Sequence, residues 1–265
     1  MKNLFKFIGH YWKAVIAIVA ILAVQAYCDL SLPAYTSDIV NVGIQQGGIE
    51  DKVPAAISEE EWNKVMNLTG ITEYEEVVEK HYVDSLSIVK VMDMNHVDTV
   101  IDVGTGAGFP GLPLKIAFPH LKVTLLDSLN KRIKFLNTVI EELGLEDIHT
   151  IHGRAEDYAK DAAYREKYDL CVSRAVANLA TLSEYCLPYV KVGGMFIPYK
   201  SGEIDEEVKG SKKAVKVLGG EIEDVVKFEL PGTDIGRSFV KIHKVKNTAK
   251  KYPRKAGMPS REPIV

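Results

Sequence analysis

Hydrophobic and polar positions divide the chain into two unlike stretches. Between Lys13 and Asp29 lies an uncharged run, Ala14 to Cys28; Tyr11 and Trp12 precede it, Tyr27 stands near its far end, and Lys2, Lys6 and Lys13 lie upstream. A lone membrane-spanning helix needs about 20 apolar residues, so this run is short unless Lys13 snorkels and Leu4 to Ile8 contribute. Its length and aromatic flanks read first as a membrane helix, with a signal-peptide core and an ordinary buried helix as the alternatives. From about Trp62 onward the pattern changes. Apolar, β-rich runs at 97–103, 122–126, 148–152, 168–173 and 195–199 alternate with helical stretches. Leu129, Ile133, Leu136, Ile140 and Leu143 recur at spacings of four and three, the stripe of an amphipathic helix. Such alternation predicts an α/β domain whose mostly parallel sheet is covered on both faces. The last two runs, 225–230 and 238–244, are separated by a short Pro-Gly turn and predict a terminal antiparallel hairpin.

Composition narrows this picture. Hydrophobic residues make up 46% of the 265 positions, too many for a disordered chain. Lys+Arg 33 against Asp+Glu 36 leaves a net charge of -3, so any nucleic-acid partner must be met by a local basic patch. That patch is at the end: residues 241–265 hold eight Lys or Arg against Glu262 alone. Pro253 and Pro259 prevent a long helix there, and an extended basic arm suits phosphate contacts. Its bland alternative is a solvated tail. The cysteines Cys28, Cys171 and Cys186 have no C-x-x-C spacing, which disfavours a disulfide framework or a four-ligand zinc site. Metal is not expected.

The sharpest chemical signal is Val100-Ile-Asp-Val-Gly-Thr-Gly-Ala-Gly-Phe-Pro-Gly111. An apolar strand ends in Asp102, Gly104, Gly106 and Gly108 alternate, and a helix is expected near Gly111. Glycines let the backbone turn tightly and approach a ligand without a Cβ in the way. The dinucleotide fingerprint G-x-G-x-x-G would need glycine at position 109, where Phe109 stands. The D-x-G-x-G-x-G order instead resembles the first motif of S-adenosylmethionine-dependent methyltransferases, and an acid at the strand end suits a ligand bearing an ammonium group. Asp127 closes the second strand about 20 residues on, where a carboxylate accepts ribose hydroxyls; capping the next helix is its alternative. In Gly153-Arg-Ala-Glu-Asp157, Ala155 and Glu156 fall where an adenine would lie; a polar surface turn is the alternative. The fourth strand ends in Ser173-Arg174, a cation beside the cofactor loop. No Asp/Asn-Pro-Pro-aromatic motif follows it, and Cys171, inside the strand, reads as buried rather than nucleophilic.

Several motifs together, Asn67-Leu-Thr-Gly-Ile-Thr72, His81-Tyr-Val-Asp-Ser-Leu86, DVGTGAGFPGLPL, LLDSLNKRIKFL, GRAED, SRAVANL and KKYPRKAGMPSREP, resemble the ribosomal RNA small subunit methyltransferase G family over about residues 62–265. The resemblance implies a Rossmann-like S-adenosylmethionine-dependent methyltransferase fold and methyl transfer to N7 of one guanine in 16S rRNA, hence the small ribosomal subunit as partner and a cytoplasmic location. It implies cofactor contacts at Gly104, Phe109, Ala155, Glu156 and Arg174, to which the loop and ribose arguments add Gly106 and Asp127. Lys250, Lys251, Arg254 and Lys255 are the candidate RNA contacts. Guanine N7 carries a free lone pair, so no general base is expected. The roles of His81 and Asp84 stay open, with structural contacts across an amino-terminal helix as the first reading. A methyltransferase acting on another RNA or a small molecule is one alternative; a non-enzymatic membrane-anchored fusion fragment is the other.

Residues 1–61 instead resemble the first transmembrane segment and external loop of bacterial ABC-type multidrug exporters. No G-x-x-x-x-G-K-[ST] phosphate loop accompanies them, and one helix cannot form a translocation path. Lysines before the run favour an amino terminus inside the cell, which would leave a tethered catalytic domain outside. The two resemblances therefore imply a chimeric or misassembled reading frame, with a join between Ser58 and Asn67, and a membrane tether only through residues 14–28.

Overall fold

The computed structural model describes residues 78–264. The apolar run 14–28, the motif at 67–72 and the expected join lie outside the described residues. Among the described residues, no helix is long and apolar enough to cross a membrane.

The domain opens with three consecutive helical pieces, Val78–Val83, Asp84–Leu86 and Ser87–Lys90. Strands and helices then alternate: β1 (Thr99–Val103), α1 (Gly111–Ala117), β2 (Lys122–Asp127), α2 (Asn130–Glu142), β3 (Ile148–His152), α3 (Ala155–Tyr158), β4 (Tyr168–Arg174), α4 (Leu179–Cys186), β5 (Val190–Ser201) and α5 (Asp205–Val217). A hairpin of β6 (Gly220–Glu229) and β7 (Gly236–Lys244) follows, and a short α6 (Met258–Arg261) lies in the tail. The seven-stranded sheet runs β3-β2-β1-β4-β5-β7-β6. Strands β1 to β5 pair in parallel, while β7 inserts antiparallel between β5 and β6, as the expected hairpin. Chain order reverses direction at β1 and β4, and that switch point leaves a crevice beyond their carboxyl ends.

Both faces are covered. Ile88, Val100, Leu112, Leu125 and Leu136 pack under the opening helices, α1 and α2. Ile101, Cys171, Leu182, Phe196 and Val215 pack under α4 and α5. Strands β1, β2 and β4 are buried along nearly all their length, which is why they read as continuous apolar runs, whereas β3, at the sheet edge, fully buries only Ile151.

Several expected boundaries shift. Val97 ends a 3-10 turn and β1 starts at Thr99. Leu129 and Leu143 flank α2 and are exposed, so the buried stripe shrinks to Ile133 and Leu136. Strand β5 extends from 190 to 201, well past the expected 195–199, because Gly193 and Gly194 carry it around an irregular pairing with β4. Helices α4 and α5 had no clear signal. All of α4 except Tyr185 is buried, so no polar face marks its period.

Candidate functional site

The glycine loop connects β1 to α1 at the crevice. Amides of Gly104 and Thr105 both donate to the Leu126 carbonyl, at 2.8 and 3.1 Å, tying the loop to β2. Gly104, Gly106 and Gly108 have φ of 75°, 65° and 99°, in the left-handed region where side chains are strained. A Cβ on Gly104 would come within 2.4 Å of Val176, whereas one on Gly106 would meet nothing within 4 Å. Asp102 braces the loop from beneath: its Oδ2 accepts from Thr105 Oγ1 at 2.6 Å and from the Gly111 amide at 2.9 Å. Its other oxygen, Oδ1, is buried without a hydrogen-bond partner. Burial raises the Asp102 carboxyl to about 6, against the pull of those donors and of Arg174.

Phe109 is the meeting point of the opening helices and β4. His81 stacks on its ring at 4.8 Å, Tyr82 meets it edge-on at 5.3 Å, and the Arg174 guanidinium lies over it at 5.4 Å. Arg174, at the carboxyl end of β4, donates to the Lys80 carbonyl (3.0 Å), to Asp84 Oδ2 (3.0 Å) and to His81 Nδ1 (2.9 Å). A guanidinium has only donors, so His81 Nδ1 must be the unprotonated nitrogen. Partial burial and the Arg174 charge lower His81 to about 4, and its Nε2 is buried without a partner. Asp84 is itself buried and also accepts from Arg237 Nε at 3.0 Å. His81 and Asp84, whose roles the sequence left open, both contact Arg174 from the opening helices.

After Arg174 the chain turns through Ala175, whose φ of 57° is left-handed, and brings Val176 against Gly104. Lys200 Nζ holds this turn by donating to the Ala177 carbonyl at 2.7 Å and to Glu207, which also accepts from the Leu179 amide. Sequence reading missed Ala175, Lys200 and Glu207. Nothing in a one-dimensional pattern marks a positive φ on alanine.

The remaining candidates are placed as follows. Asp127 is buried at the end of β2; its oxygens accept from the Gly106 amide (3.0 Å), the Leu129 amide (2.8 Å) and Arg132 (3.1 Å). It therefore joins the glycine loop to the start of α2. Ala155 and Glu156 open α3. The Ala155 carbonyl accepts from Tyr189 at 2.7 Å, and buried Glu156 accepts from the Gly257 amide at 2.8 Å. Cys171 is fully buried inside β4, as expected.

The basic tail is not the extended arm that its composition predicted. Residues 241–244 belong to β7, and Lys244 is fully buried, donating to Leu187 and Thr248. Arg254 is bound to buried Glu184 and so is not a free phosphate ligand. Lys250, Lys251 and Lys255 remain exposed on the folded-back segment. The physical reason is that buried Glu184 and Glu156 need donors, and the tail supplies them. Among the described residues there is no His, Cys, Asp and Glu cluster of the kind that holds a metal.

A doubly covered, mostly parallel sheet with a glycine loop and strand-end acid at its switch point defines a Rossmann-like methyltransferase of the S-adenosylmethionine-dependent class. A SAM dependent methyltransferase from Aquifex aeolicus shares this fold, with a TM-score of 0.50 at 19% identity over 67% of this chain and 97% of that one. The family model described as GidB, rRNA small subunit methyltransferase G, matches residues 59–236. Ribosomal RNA small subunit methyltransferase G of Lachnoclostridium phytofermentans is 57% identical over 205 residues, 77% of this chain and 85% of that protein. Its counterpart in Acetivibrio thermocellus is 57% identical over 204 residues, covering 77% and 84%. The chain belongs to the rRNA small subunit methyltransferase G family.

Proposed function

We propose that residues 62–265 form the catalytic domain of a 16S rRNA methyltransferase that transfers a methyl group from S-adenosyl-L-methionine to N7 of a guanine. The observation that carries this reading is the Asp102–Gly111 loop, held at the switch point with the Arg174 guanidinium over its Phe109 ring, in a chain of this family.

The residues present fit the cofactor. Gly106 opens onto free space, and the orphaned Asp102 Oδ1 is a buried acceptor suited to an ammonium or hydroxyl donor. Gly104, Gly106 and Phe109 would hold the amino-acid side, Asp127 the ribose, and Ala155 with Glu156 the adenine. When bound, S-adenosylmethionine supplies an electrophilic methyl group on a sulfonium.

The chain's own residues then have a placing role. Guanine N7 is a lone pair that needs no deprotonation, so the site requires orientation rather than a base. His81, neutral and fixed in its Nε2–H tautomer, has its one basic lone pair, at Nδ1, already engaged by Arg174, and so does not serve as a base. Arg174 is a positioning residue: it pins the Phe109 ring and the opening helices to the end of β4. Exposed Lys250, Lys251 and Lys255 are the RNA contacts that remain from the tail, and their affinity for phosphates falls with salt. A substrate within the small ribosomal subunit places this activity in the cytoplasm. Residues 1–61, largely outside the family match that starts at residue 59, resemble an exporter's first segment and carry no transport function by themselves.

The test has two arms. Calorimetry with S-adenosylmethionine on wild type and Gly104→Asp should show binding lost in the variant; equal binding refutes the cofactor site. Mass spectrometry of 16S rRNA from cells lacking and regaining the gene should show 7-methylguanosine restored; if it does not return, the rRNA assignment is wrong.

A further inference from the structure

The segment after β7 is bound to the domain by more charged and buried bonds than a solvated tail would keep. It leaves β7 at the edge where the parallel strands begin, and Thr248 Oγ1 there donates to the Leu218 carbonyl at 2.6 Å. Arg165 then gathers its backbone, donating to the carbonyls of Thr248 (2.6 Å) and Tyr252 (2.9 Å). Glu166 accepts from the Thr248 amide and the Asn247 side chain, both at 2.6 Å. Further along, Arg254 makes a forked pair with Glu184 of α4: Nε and the backbone amide reach Oε1 at 3.0 and 2.8 Å, and a terminal nitrogen reaches Oε2 at 2.7 Å. Glu184 is 1% exposed. The segment ends beside the crevice, where the Gly257 amide donates to Glu156 at 2.8 Å and the Pro259 carbonyl accepts from Thr181 at 3.1 Å.

Two of these anchors face elements of the site. Glu156 lies in the first turn of α3, after β3, and Thr181 lies in the first turn of α4, just past the 175–178 connection from β4. Neither Glu156 nor Glu184 could stay buried as an anion without its donors. Residues 245–262 thus act as a strap drawn across α3 and α4, with one fastening, at Gly257, on a residue assigned to adenine.

We propose that this strap fixes the adenine side of the cofactor site, with Arg254 and Gly257 as positioning residues that act through Glu184 and Glu156. Lys250, Lys251 and Lys255, exposed on the same strap, would link it to any RNA held there. The inference rests on the assignment of Ala155 and Glu156 to the cofactor.

The experiment uses the full chain and S-adenosylmethionine as probe. Arg254→Ala should raise the cofactor Kd about tenfold and raise KM for S-adenosylmethionine with kcat largely kept, while Arg254→Lys, which keeps the charge and one bond, recovers part of the loss. Circular dichroism at the assay temperature must match wild type. A second measurement needs no variant. Because coupling is reciprocal, saturating wild type with S-adenosylmethionine should slow hydrogen exchange at Gly257 and across 247–258. An unchanged Kd in a folded Arg254→Ala, or absence of that protection in wild type, overturns the proposal. Gly104→Asp run in parallel separates the two claims: if it abolishes binding while Arg254→Ala does not, the strap is wrong and the cofactor site stands. If Gly104→Asp binds normally, the site itself is wrong.

Discussion

Removing the Asp84 carboxylate is the sharpest probe of how the opening helices are held to the crevice. Its two oxygens each accept a charged bond of 3.0 Å, one from Arg174 and one from Arg237. The aspartate side chain is 3% exposed, against 15% and 23% for the two arginines. Breaking a buried pair by deleting one partner typically costs about 3–5 kcal/mol, because a charge is left without compensation. Here two guanidiniums lose their common anion, yet Arg174 keeps the Lys80 carbonyl and His81 Nδ1, and both arginines retain some water. Asp84→Ala should therefore cost about 3 kcal/mol, the lower end of that range. Asp84→Asn keeps one acceptor but turns an amide N–H toward a guanidinium, and about 2 kcal/mol is expected. Against a typical stability of about 5–15 kcal/mol, either loss is large. Equilibrium urea unfolding followed by far-ultraviolet circular dichroism measures it. A cycle of Asp84→Ala, Arg237→Met and the double variant should give a coupling above about 1 kcal/mol. If Asp84→Ala costs less than about 1 kcal/mol and the cycle shows no coupling, the carboxylate is solvated and the helices are not latched through it.

Further substitutions probe the loop and its neighbours. Gly104→Ala forces a side chain into φ of 75°, at a cost of about 1–2 kcal/mol, and should also weaken S-adenosylmethionine binding; Val176 is exposed enough to yield, so the backbone cost dominates. Urea unfolding with unchanged stability would show that the turn is not left-handed. Ala175→Gly relieves the opposite problem and should stabilise by about 0.5–1 kcal/mol, read as a shift in thermal midpoint, while loosening the placement of Arg174 enough to raise KM. Asp102 makes a pH prediction. Its folded carboxyl titrates at about 6 against an ordinary 3.8, so the native state holds the extra proton in between, and stability falls as pH rises from 4 to 6. His81, lowered to about 4 from 6.5, works the other way, so wild type shows little net slope. Asp102→Asn removes only the first effect and should gain on wild type by up to about 3 kcal/mol between pH 4 and pH 7; parallel curves would refute the assignment.

Most of the scaffold was legible because each local signal had one cause. Parallel strands buried on both faces leave apolar runs, and β1, β2 and β4 were readable from theirs; β3, at the sheet edge, was marked only by Ile148 and Ile151 among polar residues. The glycine loop was readable because alternating glycines before a helix have few other uses. What escaped was set by partners far away in the chain. Helix α4 hid because its polar Glu184 and Ser183 are buried rather than displayed. The tail read as a loose basic arm because composition counts charges and cannot show that Arg254 lies against Glu184, 70 residues earlier. Asp84 looked like an ordinary helical acid until Arg174 and Arg237, 90 and 153 residues on, were brought to it.

These long-range pairs have a common consequence for the crevice. The glycine loop is held by Leu126 carbonyl bonds and Asp127 on one side, by Asp102 beneath, and through Phe109 by His81 and Arg174. Each brace comes from a different element, so the loop is fixed before any ligand arrives, and little ordering remains to be done on binding. That is the requirement of a reaction whose acceptor needs no activation. When the nucleophile is already a lone pair, the rate depends on distance and alignment, and a rigid seat contributes more than an added acid or base would.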